Sequence, residues 1–235
     1  MENIERYKQV RLADVSKIFT STSYLKVFRV SGYNELRTFI YCPDQYVPGK
    51  MEVDIVKADG FVNGFAIIPD NGVNIVYLTS LLNTYVSWAI MTDNKLEKRT
   101  SITLKRLGAI PIRVIPVLGQ NAIAYLHNLL LYISAQKKQQ NADNYLDYWA
   151  SVYSELQNAI TLELMLPNVF KEYEIELYTS WCKLIEKFYA QNTESDLEHL
   201  QKFLSEELLT PQNIVTGNMK KLRVVMKSVI DQTTN

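Results

Sequence analysis

Histidine and cysteine are scarce in this chain, with two of each among 235 residues. Cys42 and Cys182 are too few and too far apart in sequence for a disulfide framework or a zinc knuckle. Cys42 precedes a proline at a strand end, and nothing around it marks an activated thiol. His127 and His199 fall on predicted helices, and a lone helical histidine is usually a surface or a satisfied core residue, so neither reads as a catalytic base. Glycine and proline are modest, at eight and seven residues, which excludes a collagen-like chain. A hydrophobic share of 47% against 21% charged residues excludes a disordered one. No apolar run approaches the roughly 18 residues that a membrane span needs. The opening Met1–Arg6 lacks the basic-then-apolar order of a secretory signal. The expectation is a cytoplasmic globular protein of a reducing compartment, without a membrane partner.

Enzyme signatures are missing as well. There is no Gly-rich phosphate loop, no H-E-x-x-H and no G-x-S-x-G string. The N/D-P-P-Y/F segment with which adenine methyltransferases hold a flipped base does not occur. Glu52-Val53-Asp54-Ile55-Val56 alternates acidic and apolar residues, like the metal-binding strand of some nucleases. A divalent ion there would need a carboxylate and a lysine from a second strand. The next strand, Phe61–Ile68, offers only Asn63 as a polar side chain. No catalytic residue, metal site or cofactor is expected.

What the chain does have is a change of pattern partway along. Short β-rich runs at Leu25–Val30, Leu36–Tyr41, Val53–Val56 and Phe61–Ile68 alternate with turn clusters such as Cys42-Pro43-Asp44, Val47-Pro48-Gly49 and Pro69-Asp70-Asn71-Gly72. This predicts a twisted antiparallel or mixed sheet. Apolar residues at helical spacing over Val76–Ile90 predict one inserted helix. Ser101–Leu104 and Ile110–Ile115 are further strand candidates.

From Leu118 onward the apolar period is helical. Ala122, Leu126, Leu129 and Ile133 form one stripe; Tyr145, Trp149, Val152, Leu156, Ile160 and Leu164 form a second. A third runs through Phe170, Tyr173, Leu177, Trp181, Leu184 and Phe188. Ser195 and Glu198 suggest a capping box opening a helix, and Thr210-Pro211 an N-cap with an N1 proline opening the last one. The fold expected is α/β (α+β): a mixed twisted β-sheet domain with an inserted helix over residues 1–117, followed by an all-helical region over 118–235.

The neutral total charge is a cancellation. Residues 1–140 hold 17 Lys/Arg and 11 Asp/Glu, so 17 − 11 = +6, whereas residues 141–235 hold 8 and 14, so 8 − 14 = −6. Such a split suggests two parts with different partners, or two parts that attract each other.

Several segments together resemble the target-recognition domain of type I restriction–modification specificity subunits, in a single-domain form. The opening Tyr7-Lys8-Gln9-Val10-Arg11-Leu12-Ala13-Asp14-Val15-Ser16-Lys17-Ile18 is similar to that family's first segment. Val53-Asp54-Ile55-Val56 with Gly60 and Gly64 resembles its G-D-I-L strand and turn. Ile68-Pro69, Tyr77-Leu78 and Leu81-Leu82-Asn83 follow in the same order. The strongest part is Ile102-Thr103-Leu104-Lys105-Arg106-Leu107-Gly108-Ala109-Ile110-Pro111-Ile112, then Ile115-Pro116 and Gln120-Asn121-Ala122-Ile123-Ala124. The likeness covers about residues 5–140.

The resemblance implies a sequence-reading module for double-stranded DNA, without catalysis of its own, that docks methylase and translocase subunits. The family usually has two recognition domains and two spacer helices, whereas this chain has one of each. A homodimer through the helices would restore the two-fold arrangement. The acidic tail from about Asn141 has no counterpart there.

The residues themselves supply DNA-binding candidates. Lys95, Lys98, Arg99, Lys105, Arg106 and Arg113 cluster near the end of the first domain and suit a phosphate backbone. Arg29, Arg37 and Lys50 lie in the strand–turn region, where side chains would reach base edges, with Asn34 and Asn63 as adenine readers. The competing expectation is a protein-interaction module that retains the recognition fold without binding DNA, favoured by the acidic tail.

Overall fold

A computed structural model describes residues 7–20, 38–48, 53–57, 63–139, 144–191 and 196–233. Leu25–Val30, Arg29, Asn34, Arg37, Lys50, Gly60 and Ser195 lie outside them. The chain forms two compact units, Tyr7–Ala124 and a helical one from Tyr125.

The first unit opens with β1 (Gln9–Arg11), a 3-10 turn over Leu12–Asp14, and β2 (Ser16–Thr20). It continues with β3 (Thr38–Pro43), β4 (Gln45–Tyr46), β5 (Asp54–Lys57) and β6 (Gly64–Pro69). Four of these strands make one sheet in the order β2-β6-β3-β5, antiparallel at each ladder. The register aligns Ile18, Ile67, Ile40 and Ile55 in a row across all four strands. Neighbouring β-branched side chains of this kind stabilise a sheet through their cross-strand contacts.

Both faces of β3 are covered, because Phe39, Ile40 and Cys42 are all buried. Phe39 and Ala66 centre a cluster with Phe19, Tyr41, Val56 and Ile68 on the face opposite the isoleucine row. β6 approaches β3 closely at Gly64. A Cβ there would lie 2.5 Å from Tyr41 Cε2 and 2.7 Å from the Cys42 carbonyl oxygen. Gly64→Ala is therefore expected to destabilise the unit by about 1–3 kcal/mol, read as a lower urea midpoint.

The predicted single helix over Val76–Ile90 is two, α1 (Ile75–Leu82) and α2 (Tyr85–Thr92), bent by 69°. The break is made by hydrogen bonds. Asn83 Oδ1 accepts from Val53 N–H at 2.8 Å and its Nδ2 donates to the Val53 carbonyl at 2.6 Å, as a neighbouring strand would. Thr84 then caps α2 by accepting from Ser87 N–H at 3.3 Å. Helix α1 packs on β3, β5 and β6.

β7 (Thr100–Ser101) pairs with β4, and the predicted strand ends there because Leu104–Gly108 is a short helix, α3, capped by Thr103. A Cβ at Gly108 would sit 3.3 Å from Ala13 Cβ and 3.8 Å from Ile18 Cδ1, so α3 lies on the isoleucine side of the sheet. β8 (Pro111–Arg113) returns to pair antiparallel with β1.

The boundary between the units falls after Ala124, inside helix α4 (Val117–Gln139), and not before that helix. Its first turns are bound to the α/β unit by polar contacts. The buried Gln120 accepts from Asn74 N–H at 2.7 Å and donates to the Ile115 and Gly72 carbonyls at 2.9 and 3.2 Å. Asn121 accepts from Asn74 Nδ2 at 2.9 Å.

The helical unit continues through α5 (Asn144–Met165), α6 (Pro167–Glu172), α7 (Leu177–Gln191), α8 (Leu197–Leu209) and α9 (Ile214–Thr233). The stripe from Trp149 to Leu164 is buried apart from the half-buried Val152, while Tyr145 at its start is exposed. The third predicted stripe is split between α6 and α7 by Glu174, whose φ of 52° lies in the left-handed region. Helix α8 is capped by Asp196, which accepts from His199 N–H at 2.9 Å, one residue after the predicted Ser195. Thr210 closes α8 instead of opening α9, and Asn213 takes the N-terminal role by accepting from Thr216 N–H at 3.2 Å. Among the described residues no single helix is long and apolar enough to cross a membrane.

Candidate nucleic-acid interface

The basic segment 93–106 is a braced turn, helix end and short strand. Helix α2 stops at Asp93 and Asn94, both at φ 59°. Left-handed backbone of this kind terminates helices, and Asn and Asp tolerate it better than most residues. Asn94 N–H donates back to the Ala89 carbonyl at 2.8 Å. Lys95 and Lys98 N–H then donate to the carbonyls of Thr92 and Lys95, at 3.3 and 3.4 Å, as successive turns. Thr100 Oγ1 donates to the Lys98 carbonyl at 3.0 Å, and Ile102 N–H donates to the Asp44 carbonyl at 2.8 Å as the chain enters β7.

Asp93 ties the two ends of this segment together. Its Oδ2 accepts from Arg106 Nη2 at 3.2 Å and lies 3.7 Å from Lys95 Nζ. Lys95, Lys98, Arg99 and Lys105 are exposed, and Arg106 is half-buried. Five cations against Asp93 and Glu97 leave 5 − 2 = +3 over residues 93–106. An exposed cationic surface of this sort attracts polyanions by counterion release, with no need for a deep pocket.

Arg113 does not belong to it, contrary to the sequence expectation. It is 6% exposed, and its Nη1 and Nη2 donate to the Tyr7 carbonyl and to Gln9 Oε1, at 2.8 and 2.9 Å. Tyr77 Oη donates to the Arg113 carbonyl at 2.7 Å, so both ends of the residue serve the β1–β8 seam. Asn63 is exposed, and its φ of 63° together with its carbonyl, which accepts from Tyr41 Oη at 2.9 Å, accounts for its place at the turn into β6. Arg29, Arg37, Lys50 and Asn34 fall outside the described residues.

The other candidates for chemistry are built into the fold. Burial pushes the Cys42 thiol far above its ordinary pKa and that of Cys182 up to about 12, which removes thiolate reactivity. His127 is buried within α4, and His199 Nδ1 lies 2.9 Å from Asp196 Oδ1 at the α8 cap. Among the described residues no group of three or more His, Cys, Asp or Glu is placed to hold a metal ion.

Two polar residues that organise the molecule have no role assigned from the sequence: Asn83, which breaks the helix, and Glu163, which is buried in α5. A third site is a groove between α5 and α9 in the helical unit. Trp149, Val152 and Leu156 of its lining belong to the second stripe read from the sequence, whereas Val215 and Met219 belong to none.

No protein-family model, curated protein or solved structure matches this chain.

Proposed function

We propose that the unit Tyr7–Ala124 binds duplex DNA through the segment Lys95–Arg106, and that the protein is a non-catalytic, cytoplasmic specificity protein of a restriction–modification-type system. The single observation that supports this reading is the braced cationic segment. Lys95, Lys98, Arg99 and Lys105 are exposed on one short stretch whose ends Asp93 joins. Phosphate contacts of this type set orientation on the duplex without sequence preference. Base reading belongs, on this proposal, to Arg29, Arg37, Lys50 and Asn34. The helices would bind the methylase and translocase subunits or a second copy of the chain.

Charge reversal at Lys98 and Arg99 tests the face directly. Lys98→Glu with Arg99→Glu is expected to weaken filter binding of unrelated duplexes by the same factor, because phosphates are common to all sequences. Arg29→Ala or Arg37→Ala would instead alter which duplexes are preferred. Failure of the unmodified protein to retain any duplex at low salt would overturn the reading and favour the protein-interaction module.

A further inference from the structure

The helical unit carries a second surface of different character. A groove of about 160 Å³ runs between α5 and α9, with Leu208 at the end of α8 closing part of it. Its residues come from one face of each helix. Tyr148, Trp149, Val152 and Glu155 follow the three- and four-residue rhythm of α5, as do Val215, Met219 and Arg223 along α9. Trp149, Val215 and Met219 are buried, which makes the floor apolar. Trp149 also keeps a buried indole N–H with no hydrogen-bond acceptor.

The rim is different. Tyr148 is 53% exposed there, and Leu209 and Ile214, the chain neighbours of two groove residues, are 63% and 64% exposed. Arg223 holds Glu155 through Nε and Nη2, at 2.6 and 2.5 Å, so the one rim carboxylate is already neutralised. Lys220 is exposed beside it. Lys220 and Arg223 are the cations of the groove lining and Glu155 its carboxylate, so the lining sums to 2 − 1 = +1, carried by Lys220. Residues 141–213 hold 4 Lys/Arg and 13 Asp/Glu, so 4 − 13 = −9. The groove thus combines an apolar floor with a local excess of positive charge on an otherwise acidic tail.

We infer that this groove receives an acidic amphipathic helix of a partner protein. Such a helix would place a large apolar side chain on Trp149 and Met219 and carboxylates against Lys220. Grooves between two helices commonly accept a third in this way, with spaced apolar anchors for affinity and charge for selection. A second copy of this chain is a poorer occupant. An isologous contact sets the groove against itself and so brings Lys220 of one copy toward Lys220 of the other. The inference concerns the helical unit alone and stands whether or not the other unit binds DNA.

Fluorescence anisotropy of the full chain with two labelled peptides tests it. Both would be about 16 residues long with Leu and Phe at helical spacing, one with Glu and the other with Lys at the remaining positions. The Glu peptide is expected to bind about tenfold or more tightly than the Lys peptide. Lys220→Glu should abolish that preference, and Tyr148→Ala should weaken the Glu peptide. Both positions are exposed, and an unchanged thermal midpoint would confirm that the fold is kept. Equal binding of the two peptides, binding of neither, or indifference to Lys220→Glu would overturn the inference. So would a dimer in sedimentation velocity that Tyr148→Ala dissolves, since a second copy would then fill the groove.

Discussion

Arg113→Ala is expected to cost the unit Tyr7–Ala124 about 3–5 kcal/mol. Removal of the guanidinium takes away its two bonds, to the Tyr7 carbonyl and to Gln9 Oε1, from a side chain that is itself buried in the seam. Each charge-assisted bond of this kind contributes about 1.5–3 kcal/mol, and two of them are lost together. The seam also holds β1 to β8 before helix α4, so the loss is not confined to one side chain. Urea unfolding monitored by tryptophan fluorescence would show it as a lower midpoint with an unchanged slope. If Arg113 were instead a phosphate contact, the variant would keep its stability and lose DNA affinity.

The second large effect is a dependence of stability on pH set by Glu163. This carboxyl is 3% exposed in α5 and reaches the start of α7, where its Oε2 accepts from Tyr178 N–H at 2.7 Å. Burial raises its pKa from 4.5 to about 8, with Glu176 raising it further and the Tyr178 and Leu177 N–H groups opposing. The folded value thus lies above the unfolded one. Between them the folded chain binds the extra proton, so stability falls as pH rises through that window.

The contribution is fully present below about 4.5 and lost above about 8. Its scale follows from 1.36 kcal/mol per pKa unit and comes to a few kcal/mol, of order 3–5. Glu163→Gln keeps an acceptor for Tyr178 and removes the titration. It is expected to be more stable than the unmodified chain at pH 9 and similar at pH 5, measured by thermal unfolding at both. A parallel pH dependence in the two proteins would contradict this.

Much of the architecture can be read from side-chain periods. Thr38–Pro43 and Gly64–Pro69 are strands because their buried runs are short and bounded by turn residues, whereas the choice between an antiparallel and a mixed sheet comes only from the ladders. The helical stripes are equally legible where burial is continuous, as at Ala122, Leu126, Leu129 and Ile133. The break at Asn83 is not, because Leu82 and Trp88 keep an apolar spacing across it. Its cause is a pair of hydrogen bonds to Val53, thirty positions away.

The caps failed for a related reason. Ser195 and Thr210-Pro211 have suitable chemistry, but Asp196 and Asn213 make the bonds, and local sequence does not rank neighbouring candidates.

The candidate interface divides the same way. Lys95 to Arg106 form a group because they are close in sequence, with Asp93 as a brace that charge counting treats only as a subtraction. Arg113 is equally basic and only seven positions beyond Arg106, yet its strand turns it into the β1–β8 seam. A residue list cannot separate an arginine that faces solvent from one that holds a seam. Glu163 carries the same lesson for an acid, since the N–H groups that donate to it come from another helix.

The central claim is that Lys95–Arg106 is a phosphate-binding surface, and the salt dependence of duplex affinity measures it most directly. Log K against log salt is expected to fall with a slope of about −3 to −4 for the unmodified chain, from roughly 0.9 per phosphate neutralised and the four exposed cations Lys95, Lys98, Arg99 and Lys105. Lys98→Ala, Arg99→Ala and Lys105→Ala together should flatten that slope by about 3 units without lowering the thermal midpoint. The same slope in both proteins, or no measurable duplex affinity at about 50 mM salt, would contradict the account.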